Sequence, residues 1–92
     1  MKATEGIQSV DARFRKNWFE AKKAGIPRGA YHFFNAGKSG KAQAENFIET
    51  VNLLPGDLPP VLDIEASNGA SVTDIRQRAK DWLIVIEKHY KV

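Results

Sequence analysis

Pro60-Val61-Leu62-Asp63-Ile64-Glu65 reads as a short buried strand that ends in two acids. Breakers bound it: Leu54-Pro55-Gly56-Asp57-Leu58-Pro59 lies before it, and the polar loop Ala66–Ala70, containing Asn68-Gly69, follows it. An apolar run of this kind is the pattern of a strand in a parallel sheet with both faces covered. Upstream, Gly29 to Phe34 (Gly-Ala-Tyr-His-Phe-Phe) is a second such run.

Helical patterns separate and flank these strands. From Lys41 to Leu53, Ala44, Phe47, Ile48 and Val51 fall on one helical face. From Asp11 to Ala24, Phe14, Trp18 and Ala21 recur at helical spacing, with Asp11 as N-cap and Gly25 and Pro27 as the stop. Ser71 opens the last helix, with Asp74 completing an approximate capping box and Val72, Ile75, Ala79, Trp82, Ile86 and Tyr90 as its apolar stripe. Met1–Thr4 reads as the end of a preceding strand. Strands joined through helices run parallel, so the fold class is α/β with crossover helices. Two or three strands make an incomplete sheet, and three helices are too few to enclose a barrel. The 92 residues therefore read as a single unit, a segment of a larger α/β protein.

Composition bounds the function. A chain of 92 residues buries roughly 60–65% of the surface its unfolded form exposes, enough for one modest core. It is 42% hydrophobic and 27% charged, as ordinary globular proteins are. With no cysteine there is neither a disulfide framework nor a thiolate metal site, and the two histidines are too far apart to suggest metal-ligand spacing. The net charge of +3 is spread along the chain, which gives a nucleic-acid surface only weak support and an anionic cell wall about the same; no nucleic-acid partner is expected. No run approaches the ~20 apolar residues of a membrane span, and Met1–Glu5 has no apolar signal core. Membrane insertion and a cofactor are not expected.

In a strand, residues two apart face the same way, roughly 6.6 Å apart. Asp63 and Glu65 are therefore expected side by side at a strand's carboxyl end, where parallel α/β folds hold their sites. Two neighbouring carboxylates repel, which raises one pKa and leaves a protonated acid beside an ionised base. Glycoside hydrolysis uses such a pair. The plainer reading, equally weighted at this point, is that Asp63 caps the loop and Glu65 is solvated. In Tyr31-His32-Phe33-Phe34, alternation turns Tyr31 and Phe33 one way and His32 and Phe34 the other. Tyr31 can stack on a sugar and His32 can orient a carboxylate, against core packing for both; Phe34 is assigned to the core and His89 to the surface. A rival site is Gly37-Lys38-Ser39 followed by Asp63, which has the outline of a phosphate loop. That motif needs a glycine five residues before Gly37, and the position holds His32.

Taken together, Lys2-Ala3-Thr4-Glu5-Gly6, Asp11 and Phe14 ahead of Asn17, Ala21 and Gly25, Gly29-Ala30-Tyr31-His32-Phe33, Ala42-Gln43-Ala44, and Leu58-Pro59-Pro60-Val61-Leu62-Asp63-Ile64-Glu65 resemble glycosyl hydrolase family twenty-five, the Chalaropsis-type lysozymes or N-acetylmuramidases. The resemblance implies a (β/α) TIM-like barrel, here partial, and cleavage of the β-1,4 bond between N-acetylmuramic acid and N-acetylglucosamine in peptidoglycan. It implies Glu65 as general acid, Asp63 as its carboxylate partner, and Glu5, Tyr31, His32 and Phe33 along the substrate groove. It also implies action outside the cell or on the wall. Family members open with a strand bearing an aspartate and close with further strands bearing another acid, and neither is found in this chain. The 92 residues alone are therefore expected to be weakly active or inactive, and their open sheet edges to promote self-association. The alternative function is a non-catalytic peptidoglycan-binding remnant; a nucleotide-binding phosphate loop is a more distant one.

Overall fold

A computed structural model describes residues 1–92. Four strands and three helices alternate along the chain: β1 (Lys2–Glu5), β2 (Ser9–Val10), α1 (Phe14–Lys23), β3 (Tyr31–Phe33), α2 (Gly40–Thr50), β4 (Val61–Asp63) and α3 (Val72–Tyr90). The sheet has the order β2-β1-β3-β4, with β1, β3 and β4 parallel and β2 antiparallel to β1. The helix between β1 and β3, and that between β3 and β4, supply the crossovers that parallel strands require. None of the helices is long and apolar enough to cross a membrane.

One face of the sheet carries the core. Ala3, Ala30, Phe34 and Ala36 meet Ala44, Phe47 and Val51 around α2, and Trp82 and Ile86 from α3, all buried, with Phe14 of α1 closing the cluster. Trp82 lies nearly parallel to His32 at 5.9 Å and edge-on to Phe47 at 5.7 Å. At the far end of α3, Tyr90 donates its hydroxyl to the Val51 carbonyl at 2.6 Å. Burial there pushes the Tyr90 phenol up to about 12. The opposite face of the sheet is open: Tyr31 and Phe33 are half-buried and Val61 is exposed, so the helices cover one side and not both.

Local chemistry sets the boundaries, and some differ from the sequence reading. The first helix begins at Phe14, not Asp11, because Asp11 closes a turn of its own. Its Oδ1 accepts the Arg13 N–H at 3.0 Å and its carbonyl accepts the Phe14 N–H at 3.1 Å. β4 stops at Asp63, whose carbonyl takes the Phe34 N–H at 2.9 Å; β3 offers no partner beyond, so Ile64 and Glu65 leave the sheet. The two-residue β2 is too short to have left a pattern in the sequence. Ser71 caps α3 as expected, its Oγ accepting the Asp74 N–H at 3.1 Å.

Helices α2 and α3 meet backbone to backbone at Gly40. A Cβ there would lie 1.9 Å from the Arg78 carbonyl oxygen and 2.7 Å from its carbon, so only glycine permits the approach. Backbone cannot rotate aside as a flexible side chain would. Gly40→Ala is therefore expected to force the helices apart at a cost of about 3 kcal/mol, the upper end for overpacking. Thermal unfolding should show it as a drop of roughly 12–24 °C; an unchanged melting temperature would show that α2 shifts freely.

At the amino ends of β3 and β4, Arg28 and Asp57 form a two-pronged ion pair, Nε to Oδ1 at 2.8 Å and Nη2 to Oδ2 at 3.0 Å. Both side chains are only 5% exposed. The third prong, Nη1, donates to the Trp18 carbonyl at 3.0 Å, while the guanidinium lies 4.0 Å from the Trp18 ring centroid. This anchor ties α1 and the turn before β4 to the amino end of β3. The strand ends bearing the acids lie at the opposite edge.

Candidate active site

Register aligns Glu5 of β1, Phe33 of β3 and Asp63 of β4 in one row at the carboxyl ends of three parallel strands. With neighbouring strands ~4.8 Å apart, the backbones of Glu5 and Asp63 are separated by roughly 10 Å. The next row on the same face, beyond Thr4, His32 and Leu62, holds Lys2, Tyr31 and Val61. Both rows lie on the open face. An open depression of about 480 Å³ runs along it past Tyr31, Val61 and Asp63 toward Leu58 and Met1. A second, of about 280 Å³, lies at the carboxyl end of β1 between Glu5, Ser9, Asn35 and Lys38. Asp63 thus lines one concavity and Glu5 the other, with the half-buried rings of Tyr31 and Phe33 on the same face.

Glu65 follows Asp63 into the loop and is exposed. Its carboxyl is held above the ordinary value of 4.5, chiefly by a hydrogen bond shared with Asp63 and then by repulsion from that carboxylate. The two acids therefore meet beyond the strand as they would within it. A carboxyl that keeps its proton to higher pH beside a second carboxyl group is the arrangement that acid-assisted bond cleavage needs.

Glu5 has a partner that the sequence reading did not identify. Lys2 Nζ lies 2.6 Å from Glu5 Oε1 and 5.2 Å from the centroid of the Phe33 ring. Residues three apart in a regular strand point to opposite faces, but the register shifts between Lys2 and Thr4. That irregularity turns Lys2 and Glu5 to the same side. The Glu5 hydrogen bond raises the lysine pKa above its usual 10.5. A cation thus sits among the acids of the open face.

His32 is a correction. Alternation assigned its side of the strand properly, and that side is the core: the ring is fully buried and cannot touch a ligand on the open face. Nor does it orient a carboxylate. Thr4 Oγ1 lies 2.6 Å from its Nδ1 and Gln43 Oε1 lies 2.9 Å from its Nε2. The Gln43 amide is oriented by donating Nε2 to the carbonyls of Asn35 and Lys38, at 2.8 and 3.3 Å. Oε1 must therefore accept, which puts the histidine proton on Nε2 and leaves Nδ1 to accept from the threonine hydroxyl.

Burial holds the His32 pKa below 6.5. As pH falls below about 6.5, unfolded chains bind a proton that the folded protein refuses, so stability is expected to fall from pH 7 toward pH 5. Melting curves across that range check the sign, and a ¹⁵N titration should find that His32 protonates only below pH 6.5.

The phosphate-loop alternative loses its donors. The Gly37 N–H is taken by Asn35 Oδ1 at 3.0 Å and the Lys38 N–H by the Asn35 carbonyl at 3.0 Å. Ser39 serves as N-cap of α2, accepting the Ala42 N–H at 3.2 Å. These are the groups a phosphate would need. Nowhere do three His, Asp or Glu side chains converge as metal ligands.

The geometry defines an α/β protein with two neighbouring carboxyl groups, Asp63 and Glu65, at the carboxyl end of a parallel strand. Residues 1–92 match the family described as glycosyl hydrolases family 25. Lysozyme M1 of Streptomyces globisporus is 41% identical over 92 aligned positions, covering 89% of this chain and 31% of the lysozyme. YegX of Escherichia coli (strain K12), an uncharacterized protein, is 42% identical over 96% of this chain and 32% of its own length. Among solved structures, a family 25 glycosyl hydrolase from Bacillus anthracis superposes with a TM-score of 0.92 at 40% identity, over 98% of this chain and 44% of that one. The chain belongs to glycosyl hydrolases family 25. It spans about a third of the length of these sequence relatives and less than half of that solved chain.

Proposed function

We propose that this chain carries the acid-bearing part of a site that hydrolyses the β-1,4 bond between N-acetylmuramic acid and N-acetylglucosamine in peptidoglycan, and that its sheet is a segment of a (β/α) barrel. The observation that carries the proposal is the pair Asp63 and Glu65 at the carboxyl end of a parallel strand in a family 25 chain, with the Glu65 carboxyl raised by its neighbour. Glu65 protonates the leaving glycosidic oxygen. Asp63, two positions before it, supports the positive charge that grows on the sugar ring as the bond breaks. Tyr31 and Phe33 offer ring faces on the same side of the sheet, and Glu5 with Lys2 borders the row. Such faces suit the apolar sides of pyranose rings. The family membership and the name of the lysozyme relative support peptidoglycan as substrate and the wall as the place of action. The open face and the unpaired outer edge of β4 support the barrel reading, since in a barrel both would be covered.

The test is chemical. The protein as encoded is incubated with purified peptidoglycan, the new reducing ends are trapped with borohydride, and the reduced sugar is identified. Muramitol ends support the proposal. Glucosaminitol ends would place the cut at the other glycosidic bond, and binding without any new ends would favour a wall-binding remnant.

A further inference from the structure

Around Glu65 the chain is untied: the backbones of Ile64, Glu65 and Ala66 make no hydrogen bonds to the rest of the fold. Its position is set by ties on either side. Upstream, the Asp63 carbonyl accepts the Phe34 N–H at 2.9 Å. Downstream, Asn68 Oδ1 accepts the Ala36 N–H at 3.1 Å, across 32 residues of sequence. Both ties end on the strand-to-helix segment just after β3, two residues apart.

That segment is itself held. Ala36 is fully buried, and its carbonyl accepts Arg78 Nη1 of α3 at 2.7 Å. Gln43 of α2 grips Asn35 from both sides, accepting its N–H and donating to its carbonyl, each at 2.8 Å. The two loops also touch directly, since a Cβ on Gly37 would lie 3.2 Å from the Asn68 carbonyl oxygen. Asn68 takes a left-handed conformation, φ 51°, next to Gly69 at 79°, and the Ala70 N–H returns to the Ser67 carbonyl at 2.9 Å. Positive φ at both central positions makes this a tight turn of the kind asparagine–glycine favours. The turn aims the Asn68 amide back toward β3.

We propose that Asn68 is a positioning residue for the acid pair: by accepting the Ala36 N–H it holds the loop so that Glu65 stays against Asp63. The proposal rests on the reading of Glu65 as the acid, and its direct consequence is geometric. Without that tie the chain from Asp63 to the start of α3 has no hydrogen bond to the segment after β3 other than that of the Asp63 carbonyl, and Glu65 swings away from Asp63. A displacement of about 1 Å at a reacting group can cost a hundredfold in rate.

Two substitutions isolate the side chain from the turn. Asn68→Gly keeps the positive φ and removes the acceptor; Asn68→Asp keeps an acceptor oxygen in the same place. In the protein as encoded, Asn68→Gly is expected to lower kcat by about ten- to hundredfold with little change in KM, while Asn68→Asp keeps most of it. Carbon-detected NMR titration of the Glu65 carboxyl gives a readout that does not depend on catalysis. Its pKa should fall to the ordinary glutamate value in Asn68→Gly and stay raised in Asn68→Asp. An unchanged Glu65 titration in a folded Asn68→Gly protein would overturn the positioning role. If instead the titration moves while Glu65→Gln retains full activity, the positioning role stands and the assignment of Glu65 as acid fails.

Discussion

Glu65→Gln is expected to lower the rate of peptidoglycan cleavage by about 10²–10⁴-fold, the range lost when a general acid is removed. Glutamine matches glutamate in shape but has no acidic proton to give to the leaving oxygen. Because the Glu65 side chain is exposed, the substitution should leave the melting temperature nearly unchanged. The loss would then be one of chemistry and not of folding. The pH profile carries a second, independent part of the prediction. Asp63 holds the Glu65 carboxyl above its ordinary value, so the protonated form persists to higher pH and activity falls as pH rises through that raised pKa. Asp63→Asn removes the charge that raises it. What activity remains in Asp63→Asn should therefore lose its alkaline limb at lower pH than the parent does. Reducing-end assays of the protein as encoded, run across pH with both variants, check the two parts together. A Glu65→Gln protein that clears walls at the parental rate would move the acid role to another residue.

The largest effect on stability is expected at Arg28. Removing it as Arg28→Ala leaves the Asp57 carboxylate, 5% exposed, without its counter-charge. Breaking one side of a buried pair costs about 3–5 kcal/mol, since the remaining charge keeps its desolvation penalty and loses its compensation. Against a total of roughly 5–14 kcal/mol for a domain of this length, that is a large fraction. The Leu54 N–H, 2.7 Å from Asp57 Oδ2, would be the carboxylate's remaining donor. Arg28→Lys should recover only part of the loss, because a lysine is a point charge and cannot fill both prongs and the Trp18 carbonyl at once. Acid dependence gives the sign. The Arg28 guanidinium holds the Asp57 carboxyl below its usual range, so the pair's contribution is present above about pH 4 and is lost as pH falls through the lowered pKa. Urea unfolding at pH 7 and pH 3 should therefore show the Arg28→Ala difference shrinking at the acid end. A difference below about 1 kcal/mol at pH 7 would show that the pair contributes no more than a surface one.

These two predictions concern opposite edges of the same sheet. The ion pair sits where the parallel strands begin, and the acids where they end. The core between them belongs to α2 and α3, with His32 as a polar element inside it. A buried histidine with both nitrogens engaged joins β1, β3 and α2 through directional bonds, which hydrophobic contact alone does not provide. The same Gln43 that holds His32 also holds Asn35, so the core network reaches the loop to which Asn68 is tied.

How much of this was legible depended on distance along the chain. The alternation in Tyr31-His32-Phe33-Phe34 separated the open face from the core side, because side-chain direction in a strand is a local property. Asp63 and Glu65 were recognisable as neighbours because only one residue separates them, although Glu65 lies beyond the strand, and Ser71 as a cap because capping spans only three residues. The length of β4 was overestimated, since pairing depends on where β3 ends and not on the apolar run itself. Lys2 escaped notice because a strand irregularity, invisible in the residues, turns it toward Glu5.

By itself the sequence determined the succession of helices and parallel strands, the two sides of β3, the family, and an acid pair at a strand end. Each of these is written in spacing over a few residues or in motifs whose order is one-dimensional. The tertiary structure alone decided what each polar group faces. It sent His32 into the core, paired Arg28 with Asp57 across 29 residues, and set Lys2 beside Glu5. It also bracketed Glu65 between Phe34 and Ala36 through contacts from distant parts of the chain. The physical reason is that a hydrogen bond or ion pair requires two groups within about 3 Å, and chain order places no such limit on residues thirty positions apart. The acid pair was therefore present in the sequence, and the fold supplied what holds it in place.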